Sequence, residues 1–348
     1  MLGTLFGRLV EIDPDERSAV ARPVRSGPLT ATGLIAGTDD RLLLLRSDSK
    51  MVVVDATTLR PVSPPLTTTD PLVATIPATL SPDASRVALS NPDRVELIDV
   101  AAGHATLPPF TVGSYDPPAF SPDGRLLLVG GADGKLHEFD VDTGAERWSR
   151  DFGGGPVGSV RFSPDGLLIT AKPFQEDIRI LDATTGAAVS GPFPSVSSLA
   201  FSPTGGLALA AGAELELIDA RTGKVVRTLN GNQGLLDAGY IDHGRWINAI
   251  TGSGLFELID SQSGARVGVP LRVARDAYSD VSGIAFTTTG IYYGRVNGPI
   301  SYYDFDPAAW VVTACKAAGR NLTRAEWRSY LGSLANYGPT CPQYPTEP

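Results

Sequence analysis

Residues 119–144 read AFSPDGRLLLVGGADGKLHEFDVDTG, in which two strand-like runs are separated by turn-forming residues. Pro122-Asp123-Gly124 predicts a tight turn, because proline fixes φ at the second position and glycine accepts the positive φ that closes the turn. The run Arg125 to Val129 predicts a buried strand, and Lys135 to Asp140 predicts a second strand that ends in an acidic residue. Thr143-Gly144 then predicts another turn.

This arrangement recurs along the chain. Strand-like runs end in Asp at positions 13, 55, 99, 140, 182, 219, 260 and 304, so the intervals are 42, 44, 41, 42, 37, 41 and 44 residues. Turns equivalent to 121–124 occur at 81–83, 163–166 and 202–205, with a degenerate version at 287–290. A period of about 40 to 45 residues built from short strands is typical of one β-propeller blade.

Each period contains four predicted strands. The first precedes the Ser-Pro-Asp-Gly type turn, and the second, as in Leu167 to Thr170, is a nearly continuous apolar run suited to burial between blades. The third ends in the recurring Asp. The fourth, as in Ala145 to Ser149, is more polar and predicts an outer edge strand that faces water.

The strand count predicts how the ring closes. The seventh unit, residues 281–305, lacks a fourth strand because Asp306-Pro307 starts a helix, and we expect the segment 17–26 to supply it by pairing with 299–305. The predicted fold class is therefore all-β: a seven-bladed propeller over 1–306, closed by an N-terminal outer strand and followed by a short α-helical tail, 307–348. The strand Leu9 to Asp13 has no blade of its own. It either adds at an edge or indicates that the chain begins inside a longer protein, and we favour the second.

The tail predicts two helices. The first spans 307–318, with Asp306 as cap and Gly319 as terminator, and carries an apolar stripe formed by Trp310, Val311, Ala314, Cys315 and Ala318. The second begins at the capping box Thr323–Glu326 and offers Trp327, Tyr330 and Leu331. Nine of the ten tyrosines lie at or after position 240, which leads us to expect that the tail packs on the last blade.

Composition limits the cellular setting and the partners. With 29 basic and 38 acidic residues the net charge is -9, which disfavours direct contact with nucleic acid, since that requires clustered Lys and Arg. No apolar run is long enough to cross a membrane, and the opening residues do not read as a secretion signal. We expect a cytoplasmic, monomeric module. Cys315 and Cys341 could pair, but reduced thiols are the expectation in that compartment.

The Phe-Ser-Pro-Asp-Gly turns and the Asp-x-x-Thr-Gly exits resemble WD40 repeats in a degenerate form. The residue before the recurring Asp, usually Trp in that family, is here Val54, Ile98, Phe139, Leu181, Ile218, Ile259 or Tyr303. The stretch 314–332, followed by Thr340-Cys341-Pro342, resembles the C-terminus of bacterial WD40 proteins in which a propeller follows a STAND-type or transcriptional-activator signalling module. This resemblance implies a sensor or scaffold within a larger regulatory protein.

The residues indicate no catalytic group, cofactor site or metal site. His104, His137 and His243 occupy non-equivalent positions in their units, and the turn acids Asp83 and Asp123 recur as turn formers. Asn321-Leu322-Thr323 fits a glycosylation acceptor, but we interpret it as the start of the second helix. Arg320, Arg324 and Arg328 step by four residues and form a candidate docking stripe on that helix, the alternative being a solvated face.

The sequence therefore favours a non-catalytic interaction scaffold whose partner is another protein or an upstream domain of the same polypeptide. A propeller enzyme, either a lactonase-like hydrolase or a quinone-dependent dehydrogenase, is the alternative. A small-ligand sensor that uses the central channel is the third candidate. No motif in the sequence names the partner or the propeller face that binds it.

Overall fold

The computed structural model describes residues 2–4, 9–11, 22–23, 31–37, 40–46, 50–68, 77–229, 234–272, 281–286, 290–295, 300–304, 312, 315–316, 318–331 and 337–345. Three short strands come first: β1 (Leu2–Thr4), β2 (Leu9–Glu11) and β3 (Arg22–Pro23). β1 and β2 form a two-stranded antiparallel hairpin. β2 corresponds to the predicted strand Leu9 to Asp13, which had no blade of its own, and it pairs with β1.

Antiparallel sheets follow one another along the rest of the chain, six of them four-stranded and one three-stranded in the described part. The bounds of their strands are β4 (Ala31–Gly37), β5 (Arg41–Arg46), β6 (Met51–Asp55), β7 (Ala78–Leu80), β8 (Arg86–Ser90), β9 (Val95–Asp99), β10 (His104–Ala105), β11 (Ala119–Phe120), β12 (Leu126–Gly130), β13 (Lys135–Asp140), β14 (Glu146–Asp151), β15 (Val157–Phe162), β16 (Leu168–Pro173), β17 (Ile178–Asp182), β18 (Ala188–Phe193), β19 (Val196–Phe201), β20 (Leu207–Gly212), β21 (Leu215–Asp219), β22 (Val225–Leu229), β23 (Leu235–Ile241), β24 (Trp246–Thr251), β25 (Leu255–Asp260), β26 (Arg266–Arg272), β27 (Val281–Phe286), β28 (Gly290–Arg295) and β29 (Ile300–Asp304).

The predicted all-β class is confirmed, and most predicted strands lie within a few residues of the observed ones. The predicted strand 135–140 matches β13, and the recurring Asp ends the third strand in every sheet. Leu167 is a correction: its side chain is 53% exposed and the strand begins at Leu168, because Leu167 still belongs to the turn. In the three-stranded sheet, the edge beyond β6 carries only isolated bridges, from Met51 to Leu66 and from Val54 to Pro61.

The apolar core lies between neighbouring sheets. One cluster combines Leu168, Ile178 and Ile180 of one sheet with Leu199 and Phe201 of the next, all of them at most 8% exposed. The first strands of the sheets also contact one another in succession, β4 with β7, β7 with β11, β11 with β15, β15 with β19, and β19 with β23, while β27 contacts β4. Close packing of one apolar face on the next therefore substitutes for the Trp-based network that the sequence lacks.

An N-terminal strand pairs with the last sheet in the chain. β3 is the fourth strand of the sheet that contains β27, β28 and β29. It runs antiparallel to β29, with Pro23 opposite Ser301 and Arg22 opposite Tyr302. The described pairing covers two residues, within the segments 17–26 and 299–305 that the sequence predicted to meet.

The recurring Asp residues organise the turns between third and fourth strands. In the turn after β17, Asp182 Oδ1 accepts hydrogen bonds from Thr185 N and Thr185 Oγ1 at 2.9 and 2.8 Å. The same pair of bonds forms at Asp140–Thr143, Asp219–Thr222 and Asp260–Ser263. The hydroxyl at the third following position is therefore part of the turn, which explains the Asp-x-x-Thr-Gly pattern.

These turns predict a specific acid response. The hydrogen bonds from Thr185 lower the pKa of Asp182 below its ordinary value of 3.8, so its carboxylate stabilises the fold above that pH, and this contribution is lost as pH falls through the lowered pKa. We expect Asp182→Asn, which cannot titrate, to reduce the free energy of unfolding at pH 7 by only a few tenths of a kcal/mol, because the group is exposed. The deficit should shrink as the pH falls through the lowered pKa of Asp182. Urea denaturation of both proteins at a series of pH values from 7 downwards measures it, and a deficit that does not change with pH would contradict this origin.

Candidate functional site

Because the strands of each sheet are antiparallel, the connections between successive strands lie at two opposite ends of the strands. The Ser-Pro-Asp-Gly type turns and the Asp-Thr turns lie at one end of the strands, which we name the turn edge. The links from second to third strand, and from each sheet to the next, lie at the other end, the loop edge. Tyr115 and Phe174, 59% and 53% exposed, lie at the loop edge, whereas exposed Leu167 lies at the turn edge. Large exposed apolar side chains at the loop edge are suited to contact with a partner.

The tail contains the predicted second helix, α1 (Arg324–Leu331). Its capping box is present: Thr323 N donates to Glu326 Oε2 at 2.9 Å, and Glu326 N donates to Thr323 Oγ1 at 3.2 Å. Trp327 is buried and meets the Tyr337 ring edge-on at 5.6 Å between centroids. The side chains of Tyr330 and Leu331 lie outside the described residues.

The first tail helix is described only in part. Residues 312, 315–316 and 318 are helical, and Gly319, with φ of 65°, donates its N–H to the Cys315 carbonyl as a helix terminator does. The start of the predicted helix and the stripe residues Trp310, Val311 and Ala314 lie outside the described residues. Ala318 is exposed, whereas Cys315 is buried, so the described positions do not share one buried stripe.

The three arginines of the predicted docking stripe do not share one helix face, which corrects the sequence interpretation. Arg320 precedes α1 and binds Glu326 through both terminal nitrogens, at 2.7 and 2.8 Å. This contact and the Thr323 N–H lower the pKa of Glu326 to about 2. Arg324 stacks over the Tyr337 ring at 4.6 Å, and Arg328 Nε donates to the Arg324 carbonyl at 3.3 Å. All three arginines remain exposed, and their guanidinium groups contact other residues of the tail.

Cys315 and Cys341 form a disulfide bond, which corrects the expectation of reduced thiols. The contacts around Asn321 explain how the two segments meet. Asn321 is 5% exposed, accepts from Cys341 N at 2.6 Å, and donates through Nδ2 to the carbonyls of Tyr344 and Pro345 at 2.6 and 3.1 Å. Because the nitrogen that a glycan would need is enclosed and bonded, the glycosylation pattern at 321–323 is explained by folding alone.

Two tyrosines of the last sheet pack against the β4–β6 sheet. Tyr292 is buried among apolar residues of the β4–β6 sheet, and its hydroxyl donates to the Ala56 carbonyl. Tyr302 packs against the same cluster, 4.6 Å from the Tyr292 ring between centroids. In the described part of the chain, this pair therefore joins the last sheet to the first.

The histidines occupy separate local settings. His137 is 5% exposed and lies between two acids, with Nδ1 2.9 Å from Glu146 Oε1 and Nε2 3.2 Å from Asp133. His104 contacts the neighbouring Ala105 carbonyl, and His243 lies exposed in a short 3-10 turn. Within the described ranges, no group of three or more His, Cys, Asp or Glu residues is arranged to hold a metal ion.

Two buried acids are paired across neighbouring strands. Glu138 is fully buried and accepts from Arg147 Nη1 at 2.8 Å, and Glu257 pairs with Arg266 Nη1 at 3.4 Å. Burial raises the pKa of Glu138, and Arg147 opposes that shift. In both pairs the acid comes from a third strand and the arginine from the adjacent fourth strand, so the pairs belong to the sheets.

A cavity of about 240 Å³ lies along the first strands of three successive sheets. Its walls include Arg161 on β15, Phe201 on β19, and Asp237 and Tyr240 on β23. Arg161 Nη2 and Asp237 Oδ1 are 3.3 Å apart, an ion pair that passes over the intervening sheet, and both side chains are nearly half exposed. Asn248 on β24 also lines the cavity. It is 2% exposed, and its Oδ1 has no hydrogen-bond partner among the described residues.

The cavity is not predicted by any pattern in the sequence. The only signal was Asn248 inside the apolar run 246–250, at the position that Leu128 and Leu209 occupy in two other sheets. No sequence pattern indicates that Arg161 pairs with Asp237, because the two residues are 76 positions apart in the chain.

Comparison with known proteins supports the repeat. The family described as WD domain, G-beta repeat matches residues 109–140. Serine-threonine kinase receptor-associated protein of Gallus gallus is 35% identical over 81 residues, covering 22% of this chain and 23% of that protein. WD repeat-containing protein SL1-17 of Schistosoma mansoni is 31% identical over 112 residues, covering 31% of this chain and 37% of that protein. The chain thus spans well under half of the length of these relatives.

A WD40 repeat is therefore present, and the similar proteins are WD-repeat proteins. Such repeats generally serve as scaffolds for contacts between proteins. In the described part of the chain, no helix has the length and apolar character needed to span a membrane.

Proposed function

We propose that the chain is a closed seven-bladed propeller that acts as a non-catalytic docking scaffold within a larger cytoplasmic regulatory protein. The observation that carries the docking role is the WD40 repeat at 109–140, in a fold whose two edges differ. At the turn edge the same bonded turns recur in sheet after sheet. At the loop edge the connections vary, and exposed Tyr115 and Phe174 lie among them. A rigid frame with variable loops offers a preorganised binding surface.

Three observations support closure and the blade count. β3 pairs with β29, Tyr292 and Tyr302 of the last sheet pack against the first, and β27 contacts β4. In this proposal residues 17–26 are the closing strand, 281–305 the last blade, and 307–348 a helical tail that packs on it. The exposed Arg320, Arg324 and Arg328 would contribute to docking from the tail.

The partner in this proposal is another protein or an upstream domain of the same polypeptide, as in the STAND-type or transcriptional-activator proteins that the tail resembles. The resemblance of the tail is the support for that context. The capping box at Thr323–Glu326 and the Cys315–Cys341 bond hold the resembling stretch in one folded unit.

The loop edge predicts an asymmetric effect of substitution. We expect the double variant Tyr115→Ala and Phe174→Ala to weaken partner binding by about tenfold or more, since such apolar side chains supply much of the affinity at an interface. Leu167→Ala, which removes an equally exposed apolar side chain at the turn edge, is the matched control and should bind normally.

The measurement uses the purified full chain as bait in a lysate of the source organism, followed by the Kd of the purified captured protein for each variant. Loss in the loop-edge variant alone supports the proposal. Equal Kd values in all three proteins would contradict it. So would stoichiometric bound calcium, zinc or a chromophore in the purified chain, because that result would favour the propeller enzyme.

A further inference from the structure

The register pair at the base of the cavity differs from its equivalents in two other sheets. Gly239 lies opposite Asn248, where the equivalent pairs are Ala119 with Leu128 and Ala200 with Leu209. The sheet has therefore lost a methyl group on one strand and gained an amide on the other. A Cβ at Gly239 would lie 3.1 Å from Asn248 Oδ1, closer than an ordinary van der Waals contact, so the glycine provides the space that the amide occupies.

The Asn248 amide is energetically unfavourable at this position, because its oxygen is buried without a hydrogen-bond donor among the described residues. An enclosed amide oxygen without a hydrogen-bond donor costs about 1 to 3 kcal/mol relative to a satisfied one. Leucine fits the equivalent position in two sheets of the same chain, so packing alone does not require asparagine. The oxygen is enclosed in the described orientation, but the amide can turn about its last torsion, which exchanges the positions of the oxygen and the N–H₂ group.

The other polar groups of the cavity offer opposite charges side by side. Arg161 and Asp237 are 3.3 Å apart and partly exposed, so each keeps hydrogen-bonding capacity for a further group. An exposed pair of this kind contributes little by itself. Burial raises the pKa of Tyr240, so its phenol stays protonated and can donate. The cavity walls next to these groups are apolar and include Phe162, Phe201 and Ala200.

We propose that this cavity binds a small zwitterion, an α-amino acid with an apolar side chain, with Arg161 receiving the carboxylate and Asp237 the ammonium group. In an α-amino acid the two charged groups are separated by a single carbon, which matches the adjacent guanidinium and carboxylate. The ligand offers both donors and acceptors to the Asn248 amide, which lines the cavity. A volume of about 240 Å³ lies below the range of cavities for drug-sized ligands and suits a molecule of this size.

This inference goes beyond the docking proposal and does not depend on it, because three consecutive sheets form the cavity whether or not the ring is closed. It assigns a ligand class to this cavity and makes the chain a candidate sensor of a free amino acid. Binding would link β15, β19 and β23, the first strands of three consecutive sheets, through one small molecule.

Calorimetric titration of the purified full chain with three matched probes tests the proposal. L-Leucine carries both charged groups, 3-methylbutylamine only the ammonium group, and 4-methylpentanoate only the carboxylate. We expect L-leucine to bind at least about tenfold more tightly than either of the others. Equal binding of the amine or the acid would overturn the zwitterion assignment, and so would the absence of L-leucine binding up to about 10 mM.

Two variants copy the equivalent sheets and are therefore expected to fold. Gly239→Ala and Asn248→Leu install the residues found at positions 200 and 209. Each should weaken L-leucine binding about tenfold or more. Asn248→Leu should keep the thermal unfolding midpoint at or above that of the parent, whereas Gly239→Ala should lower it slightly, because the new methyl group lies 3.1 Å from Asn248 Oδ1. Unchanged affinity in both variants, with the fold retained, would show that L-leucine binds elsewhere and would overturn the site.

Discussion

The paired substitutions Pro23→Cys and Ser301→Cys are expected to produce a disulfide bond between β3 and β29. This bond would hold the N-terminal strand β3 covalently on the last sheet. Pro23 and Ser301 are register partners in antiparallel strands, where Cα atoms lie about 4.5 to 5.5 Å apart, within the range that a disulfide can bridge. The bond would close a loop from residue 23 to residue 301. Because a loop of that length removes much entropy from the unfolded chain, we expect the free energy of unfolding to rise by about 5 kcal/mol.

Chemical denaturation under oxidising and reducing conditions measures this effect, and peptide mapping identifies the new bond beside Cys315–Cys341. Each single substitution is the control, since neither can close the loop. The proposed seven-bladed ring requires the 23–301 bond to form in the folded protein. Failure of that bond to form, or a bond that forms only after unfolding, would contradict closure.

The second large effect concerns the core between sheets. Leu168→Ala is expected to lower the free energy of unfolding by about 2 to 5 kcal/mol, because it leaves a cavity between two packed sheets. Leu168 is 2% exposed and packs in a cluster with Ile178, Ile180, Leu199 and Phe201. No turn or charged group is changed, so the loss would report packing alone.

Leu167→Ala removes the same atoms one residue earlier and is the matched control. Leu167 is 53% exposed at the turn edge, and its replacement should change the free energy of unfolding by no more than about 0.5 kcal/mol. Urea denaturation of the two variants and the parent gives the comparison. Similar losses in both variants would mean that packing between sheets does not dominate stability.

The order and type of the strands could be predicted from the sequence because each unit carries its own turn chemistry. Asp182 and Thr185 fix one turn within four residues, and Ser163 with Asp165 fixes another, where Ser163 Oγ donates to Asp165 Oδ1 at 2.5 Å. These bonds are local, so their residue types appear next to one another in the chain. The pairing of β3 with β29 is not local, but counting strands indicated it because one sheet lacked an edge.

The tail shows where that reasoning fails. The disulfide between Cys315 and Cys341 depends on Asn321, whose contacts with Cys341, Tyr344 and Pro345 bring the segments together. Those contacts follow no recognisable sequence pattern, and the expected cytoplasmic location favoured free thiols. The spacing of the arginines suggested one helix face, but the capping box at Thr323 starts α1 after Arg320 and turns that arginine onto Glu326.

The cavity could not be predicted for a similar reason. Its members come from three sheets, and the meeting of Arg161 with Asp237 requires the strands of different units to converge. The exchange of Ala and Leu for Gly239 and Asn248 becomes visible only when register pairs are aligned across strands. A search along the sequence for a catalytic or metal motif therefore passes over it.

The pairing between β3 and β29 has a mechanical consequence. Pro23 and Ser301 are register partners although they lie far apart in the chain. A tensile force applied through β3 and β29 in opposite directions would therefore load the backbone contacts between these two strands directly. If the chain is tethered to other domains through the segments that carry these strands, those contacts would bear the load before the sheets that lie between them in the chain.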